Sequence, residues 1–66
     1  MKALYIIDCQ TPQRRAELRQ EFLRQNHPYC EHLPGTGTKL EILLEPAQAV
    51  RVSAEYNVQV RLCPRR

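Results

Sequence analysis

The sequence predicts a small two-layer α+β domain of the ferredoxin-like βαββαβ plan, and three observations carry that expectation. The chain opens on an apolar, β-branched run; a Thr-Pro helix start follows; and the second half alternates apolar with polar residues between Pro and Gly punctuation. At 66 residues there is room for one domain, 1–66. A chain of that size buries only about 60% of the surface it exposes when unfolded, so its core is thin and burial against a partner would add stability.

The opening Met1–Asp8 is apolar on both alternating faces, the pattern of a central strand, β1. Thr11 offers a hydroxyl as a cap, Pro12 fits the first helical position, and helix formers continue the helix α1 to about Asn26, before His27-Pro28 ends it. Tyr29–Leu33 reads as a short edge strand β2. Pro34–Thr38 is a turn in which Gly35 and Gly37 supply positive φ angles, and Thr38–Leu44 alternates as β3.

From Val50 to Leu62 every even residue is apolar, which taken alone describes one long strand; the alternative fold is then βα followed by a hairpin. A helix α2 starting at Pro46 and stopping at Asn57, followed by a strand β4 over Val58–Leu62, fits the same residues and is favoured, because a strand of more than about ten residues is long for so small a domain. The expected sheet order is 4-1-3-2, antiparallel, with both helices on one face.

Ten Lys and Arg against seven Asp and Glu leave +3, but Arg65 and Arg66 belong to a short basic tail, 64–66; without those two the balance is eight against seven. The basic pI of about 9.0 therefore says little about nucleic acid. Three widely spaced cysteines, Cys9, Cys30 and Cys63, with no CxxC pair and no secretory signal in view, are expected as reduced thiols in a cytoplasmic protein. In the expected sheet Cys30 and Cys63 share one end on opposite edges, about 14 Å apart, and Cys9 lies at the other end, so no disulfide should form. No apolar run is long enough to span a membrane.

The spacing His27-x-x-Cys30-x-His32 brings two metal ligands onto one strand face where a structural zinc needs four, so no metal and no small-molecule cofactor are expected. Cys9 precedes a helix N-terminus, which can lower a thiol pKa, but no imidazole or glycine-rich loop accompanies it; a buried structural thiol is the favoured reading. Asp8, at the end of β1, is the most enzyme-like residue, and a single carboxylate holds Mg²⁺ weakly. The stretch Tyr5-Ile-Ile-Asp8 leading to Arg14-Arg15 resembles the opening of the small nuclease-fold proteins of CRISPR adaptation, which implies a dimer pairing such aspartates around a metal. The first seven residues are similar to the opening of some phage anti-CRISPR proteins. Both similarities are confined to Met1–Arg15 and identify no family.

Arg14 and Arg15 occupy a helix's first turn, where the dipole disfavours cations, and with Arg19 they border its apolar stripe. Either their stems snorkel over the core, with Arg14 bridging Glu17 and Arg24 bridging Glu21, or they form a basic docking patch. If the even positions of β1 face the helices, the bare sheet face shows Tyr5, Ile7, Glu41, Leu43, Gln59 and Arg61. With Tyr5 as its one aromatic ring, that face suits protein better than RNA bases. The expectation is a non-enzymatic interaction module, docking on a larger partner or self-associating as a homodimer through Tyr5, Ile7, Leu43 and Arg61, with Arg14, Arg15, Arg19 and the Arg65-Arg66 tail forming a secondary contact to an acidic partner. An accessory or inhibitory role on a nucleic-acid-handling machine would suit its size. The alternatives are direct nucleic-acid binding and a metal-dependent nuclease using Asp8.

Overall fold

A computed structural model describes residues 1–64, and the Arg65-Arg66 tail lies outside the described residues. The elements are β1 (Ala3–Asp8), α1 (Pro12–Arg24), β2 (Cys30–His32), β3 (Lys39–Leu44), α2 (Pro46–Tyr56) and β4 (Gln59–Leu62). They form a two-layer α+β fold with one antiparallel sheet ordered β2-β3-β1-β4, the expected 4-1-3-2 order viewed from the other edge. No helix among the described residues is long and apolar enough to cross a membrane.

Local chemistry sets each boundary. The Thr11 hydroxyl accepts from the Arg14 N–H at 3.1 Å and Pro12 enters the first helical turn. At the ambiguous segment the helix wins. Pro46 begins it, the Gln48 side chain reaches back to accept from the Glu45 N–H at 2.9 Å, and Asn57 ends it in the left-handed region at φ 54°. The even-residue alternation is thus split between two structures: Val50 ends exposed on α2, Val52 is buried, and only Val60 and Leu62 lie within β4. Of the two turn glycines, Gly35 alone takes a positive φ, at 80°. Gly37 does not, which corrects the expectation for that residue.

The phase of the backbone decides which side chains meet. Cys9 N–H bonds to Thr38 O at 2.8 Å, and Cys63 N–H bonds to Leu4 O at 2.9 Å. Because bonded pairs alternate along an antiparallel ladder, the odd residues of β1 pair toward β3 and the even ones toward β4. The register Tyr5↔Ile42 and Ile7↔Leu40 then puts Tyr5 and Ile7 on one face with the fully buried Leu40 and Ile42. Leu18 and Phe22 of α1 and Ala49 and Val52 of α2 close over that face in a single apolar cluster, so both helices sit on the same side. Phe22 anchors it, edge-on to Tyr56 at 5.2 Å and to His27 at 5.6 Å between ring centroids.

Candidate docking surface

The open sheet face differs from the expected one by the parity of a single strand. Ile7 is fully buried beneath the helices and Tyr5 packs, partly buried, against the same core, so neither lies on the bare face. Leu4, Ile6 and Asp8 take their place beside Lys39, Glu41 and Leu43 of β3 and Gln59 and Arg61 of β4. Leu43, Glu41, Gln59 and Arg61 are where the alternation put them. Ile6 stands outside the core cluster yet is 9% exposed, flanked in register by Glu41 and Arg61. Glu41 in turn accepts from the Tyr29 hydroxyl at 3.1 Å and meets the Cys63 thiol at 3.8 Å. On this face Ile6 is buried, Leu4, Asp8, Lys39, Glu41 and Leu43 are half-buried, and Gln59 and Arg61 are exposed.

The arginines of α1 are used inside the molecule. Arg14 donates to the Tyr56 carbonyl in the last turn of α2, where the helix dipole is negative. Arg15 donates to Thr36 O at 3.0 Å, tying α1 to the β2–β3 turn. Arg19 donates through Nε to Cys30 O at 3.2 Å and through Nη2 to both Glu31 carboxylate oxygens at 3.1 and 3.2 Å. Arg24 pairs with Glu21 as expected, whereas Arg14 leaves Glu17 to Gln13. The first-turn arginines are therefore accounted for by long-range carbonyl contacts that no local spacing reveals.

The reactive-residue candidates are equally absorbed. Cys9 and Cys30 are fully buried, and burial pushes each thiol up to about 11, against the lowering effect of Arg14 and Arg15 on Cys9 and of Arg19 on Cys30. All three cysteines are free. The register sets Cys30 near the level of Tyr5 and Cys63 beside Leu4, with Cys9 at the far end, which is the distribution expected of the thiols. Asp8 accepts from the Gln10 N–H at 3.0 Å and so shapes the β1–α1 turn, where Gln10 adopts φ 74°. No three His, Cys, Asp or Glu side chains converge among the described residues. His27 is held below its ordinary pKa chiefly by burial, with Lys2 adding to the effect.

The two sheet edges differ. At β2, bonds from Leu43 N–H to Tyr29 O and from Leu33 N–H to Lys39 O show that alternate residues face β3, leaving Cys30 and His32 directed outward. Arg19 covers part of that edge by binding Cys30 O. At β4 the Cys63–Leu4 bond sets the opposite phase, so Arg61 and Gln59 bond to β1 while the N–H and C=O groups of Val60 and Leu62 point away from the sheet. No side chain among the described residues caps them. Beside this edge runs a groove of about 610 Å³ walled by Pro46, Val50 and Ala54 of α2 and floored by Tyr5 and Val60. Val50 is 73% exposed and Leu62, opposite Tyr5 in register, 62% exposed.

Tyr5 and Arg61 thus belong to the surroundings of this groove and edge. Val50, Val60 and Leu62 were missed, although the sequence carried a signal. On α2 the positions Pro46, Val50, Ser53 and Ala54 form a second uncharged stripe, separate from the buried Ala49 and Val52. Comparison with known families, curated proteins and solved structures finds no match to this chain.

Proposed function

We propose that this protein is a non-enzymatic interaction module that docks on a larger macromolecular partner through the β4 side of its sheet. One observation carries the reading: an uncapped sheet edge lies beside an apolar groove with Val50 and Leu62 exposed, while on the opposite edge Arg19 already occupies the Cys30 carbonyl. The surface of a partner would bury these groups and add to the stability of a thin core. The role that fits is accessory or inhibitory, acting by occupying part of a larger machine. Because Arg14, Arg15 and Arg19 are engaged with their own backbone, a basic patch for nucleic acid finds less support than an apolar protein contact.

The test is site-specific photo-crosslinking in cells that make the protein, with the photoreactive side chain placed at Leu62 or, as a control, at the exposed Gln20 on α1. The expected result is one adduct specific to position 62 whose purified partner binds with a Kd of about 10 μM or tighter, weakened about tenfold by Val50→Glu. Equal labelling at both positions, or an affinity untouched by Val50→Glu, would overturn the reading. Val50 is exposed enough for that substitution to leave folding within about 0.5 kcal/mol.

A further inference from the structure

We infer that β4 receives an extended segment of the partner as a fifth strand, and that this segment alternates apolar with acidic residues. The inference rests on the interaction reading above and names the chemistry of its partner.

The backbone supplies the first argument. Val60 and Leu62 each direct an N–H and a C=O away from β1, the pattern an added strand pairs with. At the opposite edge one of the outward carbonyls, Cys30 O, is already held by Arg19, so fewer groups are free to pair there.

The flanking side chains supply the second. Residues of an added strand alternate between the two faces of the sheet. On the helix side they meet Val60, Leu62 and the uncharged wall of Val50 and Ala54, a mostly apolar lining that favours apolar side chains. On the open side they come level with Gln59 and Arg61. A directly opposed residue lies about 5 Å away between Cβ atoms, close enough for a carboxylate to pair with Arg61 and for a lysine to be repelled.

The third argument weighs against a second copy of this chain on the same edge. In a two-fold pairing of β4 with itself, outward residues must meet outward residues. Centred on Arg61, the pairing sets arginine against arginine. Centred on Leu62, it sets Val60 against Pro64, which has no N–H to donate. Centred on Val60, it sets Leu62 against Val58, whose N–H is already bound to Ser53 O at 3.3 Å and whose C=O accepts from Ser53 Oγ at 2.9 Å. A foreign strand meets none of these obstacles.

The experiment titrates the isotope-labelled protein with a capped hexapeptide of alternating Glu and Val, and with its Lys-Val counterpart, and reads amide hydrogen exchange residue by residue. The Glu-Val peptide should slow exchange at Val60 and Leu62 by about tenfold and the Lys-Val peptide should not. Arg61→Glu should reverse that preference. Leu62→Pro, which removes an outward N–H and leaves the β1–β4 ladder intact, should abolish the protection while the far-ultraviolet dichroism stays unchanged. Absence of slowing with either peptide overturns the inference, as does a response centred on Leu4 and Leu43. So does protection of Val60 and Leu62 that grows with protein concentration alone, which would assign the edge to a second copy. If the crosslinked partner binds without protecting these two amides, strand addition fails and the interaction reading stands.

Discussion

Replacing Arg19 by Met separates a structural arginine from a docking one. Met keeps most of the aliphatic stem and loses the guanidinium that binds Cys30 O at 3.2 Å and Glu31 at 3.1 and 3.2 Å. The carbonyl contact is a charge-assisted bond at a partly buried site. It contributes about 1 to 1.5 kcal/mol once its 31% side-chain exposure is discounted. The ion pair to Glu31, whose side chain is 53% exposed, adds no more than about 0.5 kcal/mol. Arg19→Met should therefore cost about 1 to 2 kcal/mol in urea unfolding followed by circular dichroism, and lower the melting temperature by about 4 to 16 °C. Glu31→Gln should cost about 0.5 kcal/mol or less. The Cys30 and His32 amides should also exchange faster in Arg19→Met, as the β2 edge is uncovered. Equal small losses below about 0.3 kcal/mol for both variants, with weakened partner binding in Arg19→Met, would refute the structural assignment and return Arg19 to the docking surface.

Four other outcomes follow from the core and the turns. In the native state Cys63 should react with iodoacetamide at neutral pH while Cys9 and Cys30 react only on unfolding, because burial holds both thiols protonated. A thiol raised from 9.0 to about 11 binds its proton more tightly in the folded state. The stability it confers is thus complete below the unfolded pKa and is lost as pH rises from about 9 toward 11, a decline that Cys30→Ala should flatten in denaturant titrations. Asn57→Ala should destabilise by about 1 kcal/mol, since φ 54° is costly for alanine, whereas Asn57→Gly should be neutral or better by thermal unfolding. Gly35→Ala should cost about 1 kcal/mol at φ 80° and Gly37→Ala should not, so equal effects would contradict the assigned turn.

The elements were legible because each carries its own punctuation: Thr11-Pro12 for α1, Gly35 for the hairpin, Pro46 and Asn57 for α2. The facing of β1 was not. Ala3–Ile7 is apolar at every position, so alternation cannot say which parity is buried. The choice is made by where Cys9 and Cys63 bond, contacts to Thr38 and Leu4 that are remote in sequence. The roles of Arg14, Arg15 and Arg19 were hidden for a similar reason. Their partners are backbone carbonyls of Tyr56, Thr36 and Cys30, groups that carry no residue-type signature. The groove is an intermediate case: the uncharged stripe of α2 is readable in the sequence, but its neighbour, the outward-facing side of β4, appears only once the ladder phase is known.

Solvent paramagnetic relaxation of the leucine and valine methyl groups, recorded for the free protein and for the complex with its crosslink-identified partner, tests the docking side most directly. The account predicts that Val50 and Leu62 lose their exposure on binding while the half-buried Leu4 and Leu43 are unchanged. Shielding of Leu4 and Leu43 with Val50 and Leu62 left open to solvent would contradict it and move the interface to the open face of the sheet.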